Sequence, residues 1–346
     1  MSFTPGLPVT IGGIERSLGR LWEESGDSKT RASLINLAIY SEEEGSLESN
    51  SSVIHTIAEE HAMRALLIQA DPNAEGNHAE AWISMNCYLR GAHGGEVCSE
   101  QISFKLGGEA ARSLQNVVFS HLDSDLPLIL WWQTDFRPPI DGKLWRWVDR
   151  LLFDSRLWRK PKEQFELVEK IAAITDTRTI LCDLNWTCTF PLRQTLAGLF
   201  DAPVTLPELQ SLQTLQIEHA PDHRTTALLL LGWLADRLRW SLTLAGNNPQ
   251  FQDPRGGVIS VALTSAEGFS ISRIKLSSAN ARFEIVREVG SNLFVTSAEV
   301  ENSATVNRMV RAPREGIREL LLAELSRGGR HSHYCHAIRA VKGLWE

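Results

Sequence analysis

The chain has 346 residues, 43% of them hydrophobic and 22% charged, the profile of a soluble globular protein long enough for two domains with separate cores. Its net charge of −7 argues against nucleic acid as the main partner, because binding phosphate needs a basic face. The longest strongly apolar run, Ala227 to Ala235, is too short to span a bilayer, so no membrane partner is expected. The amino terminus has no charged leader followed by an apolar stretch, and five cysteines suit reduced thiols better than a disulfide framework. Together these features predict a cytoplasmic protein.

Ile11, Ile14, Leu18, Leu21 and Trp22 recur at steps of three and four, which predicts a helix over 11–24. RASLINLAIY reads as a strand, the acidic EEEGSLESNSS as a loop, and Ser52 as the cap of a helix reaching about Met63. RALLIQAD is a further strand. AEAWISMNCYLR and CSEQISFKL then flank the Gly-rich turn GAHGGEV as a hairpin. Pairing Arg90 with Gly95 would set Cys87 opposite Cys98, within the reach of a disulfide, although a cytosolic setting favours two reduced thiols.

GGEAARSLQNVVFSHL returns to helical period. LPLILWW follows as a strand, then a Trp-rich helical segment, the strand RLLFD, and a helix through Phe165, Val168 and Ile171. TILCDLNW is expected as a strand and FPLRQTLAGLFD as a helix. This alternation predicts an α/β fold, with an N-terminal layered α/β domain of mixed sheet over 1–176. The segment RTTALLLLGWLADRLRW is apolar nearly all round at its start and so buried. GNNPQFQDPRGG reads as a loop. VISVAL, FSISRIKL, ARFEIVRE and NLFVTSAEV have the spacing of an antiparallel meander, and helices are expected near 313–327 and 332–344. These form a C-terminal α+β domain over 177–346.

The usual catalytic signatures are missing: no GxGxxG after a strand, no Walker loop, no G-x-S-x-G elbow and no HExxH. Gly107 and Gly108 read as a turn rather than a phosphate cradle, since Glu109 would repel an anion. Three strands end in a carboxylate, at Asp135, Asp154 and Asp183. If those strands are parallel neighbours, the carboxylates converge with Arg156, Asn185 and Arg193 into a polar crevice. The competing reading is helix capping and salt bridging. His331, His333, Cys335 and His336 are potential metal ligands without a second Cys/His pair, so they read as a solvated helix start; no metal site and no cofactor is expected.

Read together, ERSLGRLWEE, RASLINLAIY, CSEQISF, DLPLILWW, LLFDS, DLNWTCTFPLRQTLAGLFD and LLLLGWLADRLRW resemble, in order, the OpcA family of glucose-6-phosphate dehydrogenase assembly or activator proteins. The resemblance runs from about residue 11 to 240. It is strongest at Asp183, Trp186, Pro191, Arg193, Leu199, Phe200 and Asp201, and it departs at Leu192, where an aromatic is expected. It implies a non-catalytic protein that binds glucose-6-phosphate dehydrogenase and promotes its active state in the oxidative pentose phosphate pathway. The alternative is a phosphosugar-binding enzyme or sensor using the strand-end crevice. For the partner contact, Arg137 to Lys162 holds eight basic residues, three acids and Trp145, Trp147 and Trp158, while residues 1–126 carry a net −10. Trp131, Trp132, Trp145, Arg146, Arg150 and Arg159 are therefore the candidate contact residues, since Trp and Arg dominate interface energetics. Mainly structural packing is the competing use of Trp131 and Trp132, one to each face of a covered sheet.

Overall fold

In the computed structural model, residues 3–24, 29–89, 96–140, 142–176, 178–246, 248–312 and 315–345 are described. The expected Gly-rich turn at 91–95 and the pairing of Arg90 with Gly95 lie outside them. The chain packs as two units. The first comprises Met1–Phe153, Glu166–Cys182 and Leu321–Gly328, the second Asp154–Phe165, Asp183–Leu320 and Gly329–Glu346.

A nine-stranded mixed sheet runs in the order Leu7–Val9, His78–Leu89, Glu96–Gly107, Met63–Asp71, Ile35–Ser41, Leu128–Trp132, Arg150–Phe153 and Ile180–Asp183, with Lys29–Arg31 paired to Glu96–Gly107. The central strands are parallel; Leu7–Val9, His78–Leu89 and Glu96–Gly107 pair antiparallel. Leu37 to Ile39 and Ala65 to Leu67 are fully buried, as continuous apolar strands are when both sheet faces are covered. Glu100 is buried among its donors: Arg64 Nε at 3.0 Å and Trp22 Nε1 at 2.6 Å, the latter tying the helix Ile14–Glu24 to the sheet.

Several elements differ from expectation. The second helix spans Ser46–Ala58 rather than starting at Ser52, because Gly45, at φ 80°, turns the chain early and lets Leu47, Ile54 and Ile57 share the buried face. Segment 107–122 breaks into two four-residue helices and a 3-10 turn, with Ser113 outside the helical region. Gly108 has φ 60°, and a Cβ there would meet the Gly76 carbonyl oxygen at 2.4 Å, so the glycine serves a turn and a close approach. The strand expected over 179–186 ends at Asp183, which caps the helix Leu184–Cys188.

In the second unit an eight-stranded sheet runs Ser241–Leu244, Gln250–Gln252, Val258–Ser265, Thr214–His219, Ile271–Ser277, Ala281–Arg287, Leu293–Val300 and Val306–Arg311. From Ile271 onward it is an antiparallel meander. Thr214–His219 separates Val258–Ser265 from Ile271–Ser277, pairing parallel with the former and antiparallel with the latter. The sequence signal for this strand is weak: only Leu215, Ile217 and His219 point inward. The expected loop near 250 contains the short strand Gln250–Gln252, paired between Ser241–Leu244 and Val258–Ser265, which buries Phe251. The helix Arg224–Leu238, buried from Thr225 to Gly232, packs on Thr214–His219 and Val258–Ser265. The last helices are Ile317–Ser326 and Tyr334–Ala340. Among the described residues no helix is long and apolar enough to cross a membrane.

Candidate functional site: strand-end carboxylates and an exposed tryptophan

Asp183 is completely buried and accepts four hydrogen bonds. Its Oδ1 receives the backbone N–H groups of Ser155 and Asn185, both at 3.0 Å. Its Oδ2 receives the Ser155 hydroxyl at 2.7 Å and the Tyr334 hydroxyl at 2.9 Å. Asn185 donates to Ser155 Oγ and accepts from Thr226 Oγ1, so the cluster closes on itself. Burial pushes the Asp183 carboxyl up to about 7, and the donors from Ser155 and Tyr334 only partly offset that rise.

Asp154 caps the turn Ser155–Leu157 by accepting from the Arg156 backbone N–H at 3.1 Å. The Arg156 guanidinium grips the same carboxylate, donating to Oδ1 at 2.9 Å and to Oδ2 at 2.6 Å. Burial works against the Arg156 cation, but Asp154 outweighs it and raises the pKa. Arg193 is buried, with its guanidinium 3.5 Å from the centre of the Trp186 ring, and donates to Thr189 Oγ1 at 3.0 Å. Cys188 is buried and its thiol is pushed up to about 12 by desolvation, which withholds the thiolate a nucleophile needs. Thus Asp154 with Arg156, and Asp183 with Asn185, are brought together, while Asp135 is exposed in the first unit. The carboxylate oxygens of Asp154 and Asp183 are spent on caps and internal donors. Such an arrangement fixes the local fold and leaves little for an added ligand.

The contact candidates separate by exposure. Trp131 and Trp145 are buried; Trp132 is half-buried and stacks on its cross-strand neighbour Tyr40, ring centres 3.9 Å apart. Trp145 meets Trp132 edge-on at 5.3 Å, and Phe136 stacks on Trp132 with ring centres 6.0 Å apart. Arg150, a contact candidate, is turned inward: it donates to the Arg327 carbonyl at 2.7 Å and to the fully buried carboxylate of Glu324 at 3.3 Å. A buried carboxylate demands such a partner, which is why this arginine is not on the surface. Arg146 and Arg159 are exposed.

Trp147, which was not among the contact candidates, is 53% exposed, whereas the candidate Trp145 and its neighbour in sequence Trp158 are buried. It follows the four-residue helix Gly142–Trp145, whose inward residue is Trp145, and it leans on Phe119 with ring centres 6.4 Å apart. Lys143 and Arg146 are exposed on the same segment. The second unit also holds an unforeseen cavity of about 370 Å³ between helix Phe190–Gly198 and the last two strands, lined by Pro191, Thr195, Leu199, Thr296, Val306 and Arg308.

The opposition of Cys87 and Cys98 is observed: they pair directly in the hairpin, with Cα atoms 4.0 Å apart, and form a disulfide. The expectation of reduced thiols is corrected here, because direct register places the two sulfurs within bonding distance.

Two family models match the chain. The one described as the glucose-6-phosphate dehydrogenase subunit N-terminal domain covers residues 54–170, and the one described as the C-terminal domain covers residues 179–338. The OpcA proteins of Synechocystis sp. and Synechococcus elongatus, both named for the OxPP cycle, are each 24% identical to it, over 195 and 178 residues. Those stretches cover 55% and 50% of this chain but only 40% and 39% of the relatives' own length. Among solved structures, the aldose–aldose oxidoreductase from Caulobacter crescentus complexed with glycerol aligns with 89% of this chain and 95% of that one, at 11% identity and a TM-score of 0.45. The two matched domains follow one another in order along most of the chain, and the chain belongs to the OpcA family.

Proposed function

We propose that this chain is a non-catalytic partner of glucose-6-phosphate dehydrogenase that promotes the enzyme's active state in the oxidative pentose phosphate pathway. The observation that carries the reading is the pair of matches to domains described as subunits of that dehydrogenase, at 54–170 and 179–338. The strand-end groups support it, since Asp154 and Asp183 hold their own caps and donors. On this reading the chain works in the cytoplasm and needs no cofactor of its own.

A binding protein raises a partner's activity only by preferring its active conformation, and a tenfold shift takes about 1.4 kcal/mol of differential affinity. The contact surface is the segment carrying Lys143, Arg146 and the exposed Trp147. A tryptophan half in solvent beside cations is poised to bury apolar area against a partner at little conformational cost. The test is binding of the purified chain to its own organism's dehydrogenase, with dehydrogenase activity followed at low glucose 6-phosphate. Trp147→Ala combined with Arg146→Glu is expected to weaken binding by at least about tenfold while leaving the melting temperature unchanged. Unchanged affinity in the folded double variant would reject the surface. Absence of binding by the wild type at micromolar concentrations would reject the function.

A further inference from the structure

We propose that Asp236, His333 and His336 form a binding site for one divalent transition-metal ion of the zinc class. The His-rich tract at 331–336 has no second Cys/His pair in sequence, but the fold supplies a carboxylate instead. Asp236 Oδ2 lies 3.1 Å from His333 Nδ1, and Asp236 Oδ1 lies 3.6 Å from His336 Nδ1. All three donor atoms lie within 4.8 Å of one another. Two donors each about 2.1 Å from one ion stand about 3.0 Å apart in octahedral and about 3.4 Å apart in tetrahedral geometry. The His333–Asp236 separation falls in that range and the His336–Asp236 separation lies just beyond it, so modest side-chain rotations would bring the three donors onto one ion.

The donors are held by backbone that is fixed before any ion arrives. His333 is the N-cap of the helix Tyr334–Ala340, which puts His336 one turn on, and Asp236 is in the last turn of Arg224–Leu238. These helices cross tightly at Gly232, where a Cβ would meet the Ala337 carbonyl oxygen at 2.2 Å. Gly232 and Asp236 are four residues apart, as are His333 and Ala337, so the crossing that brings one pair together also brings the ligands together. Tyr334, between the two histidines, is buried and anchored through its hydroxyl to Asp183 at 2.9 Å.

Two imidazoles and one carboxylate suit zinc and its neighbours rather than magnesium or calcium, which favour all-oxygen sites. In the metal-free chain Arg237 lies 3.4 Å from His333 Nε2 and donates to it, which places the proton of a neutral ring on Nδ1, toward Asp236. An ion would take the Nδ1 lone pair, the ring proton would pass to Nε2, and Arg237 would turn away. His333 and His336 are 43% and 57% exposed, so an ion reaches them from solvent, and three protein donors leave a coordination position open.

The test uses the full chain without an affinity tag, stripped with a chelator. It is titrated with Zn2+ by calorimetry and with Co2+ by visible absorption. One ion per chain is expected, with a Co2+ band distinct from that of the aqueous ion. At a free zinc concentration about 100-fold above the Kd, the melting temperature should rise by at least about 4 °C. His336→Ala and Asp236→Asn, which alter exposed or half-exposed groups, should keep the metal-free melting temperature and each lose at least about tenfold in affinity. His331→Ala, in the same tract, should bind as the wild type does. No binding by the wild type, undiminished binding in either ligand variant, or an equal loss in His331→Ala would overturn the site.

Discussion

Arg150 lies against Glu324, whose side chain is fully buried. Removing one member of a buried pair leaves a charge without compensation, so Arg150→Ala should cost about 3 kcal/mol, read as a lower midpoint in urea unfolding. Replacing both with Arg150→Met and Glu324→Leu should recover most of that loss, because the penalty belongs to the unpaired charge. Asp183 makes a different demand. Its folded pKa of about 7 exceeds the ordinary 3.8, so the folded state keeps a proton that the unfolded state releases. The stability this confers is complete below pH 3.8 and is lost progressively as pH rises to about 7. Measured by denaturant unfolding from about pH 4 to about pH 8, the wild type should lose stability relative to Asp183→Asn, and the difference should level off above about 7. A pH-independent difference would contradict the assignment.

Among the elements, the crossing of Arg224–Leu238 with Tyr334–Ala340 depends on a glycine. At Gly232 an added Cβ would stand 2.2 Å from a backbone oxygen, which cannot swing aside as a side chain could. Gly232→Ala should therefore destabilise by about 1–3 kcal/mol, despite the higher helix propensity of alanine, with a matching fall in melting temperature. The hairpin of His78–Leu89 and Glu96–Gly107 owes its disulfide to strand register. Alkylation of the unfolded, unreduced chain should label Cys182, Cys188 and Cys335, and prior reduction should add Cys87 and Cys98. Labelling of all five without reduction would show the bridge to be absent.

For the whole molecule, charge is unevenly distributed. Residues 1–126 carry a net −10, while Lys143 and Arg146 stand exposed beside Trp147. If that segment meets the dehydrogenase, binding should weaken with added salt, as contacts between exposed charges are screened. Arg146→Glu should flatten or reverse the salt dependence, whereas Trp147→Ala should lower affinity with the dependence unchanged. Binding constants measured across a salt series for the three proteins separate the electrostatic share from the apolar one.

The amino-acid sequence by itself determined the layered α/β class, the buried helix after Arg224, the meander from Ile271, and family membership through seven ordered motifs. Those features rest on local periodicity and motif order, which a linear reading captures. It could not assign Trp147 to the surface and Trp145 to the core, because side-chain direction after a four-residue helix depends on what packs nearby. Nor could it see Arg150 turned toward Glu324, or Asp236 set beside His333 and His336, which are 174 and about 100 residues distant in sequence. Burial and cross-chain proximity are properties of the folded packing. Only the tertiary structure decided which charges were paired, which carboxylates were already satisfied, and which ligand-bearing side chains met.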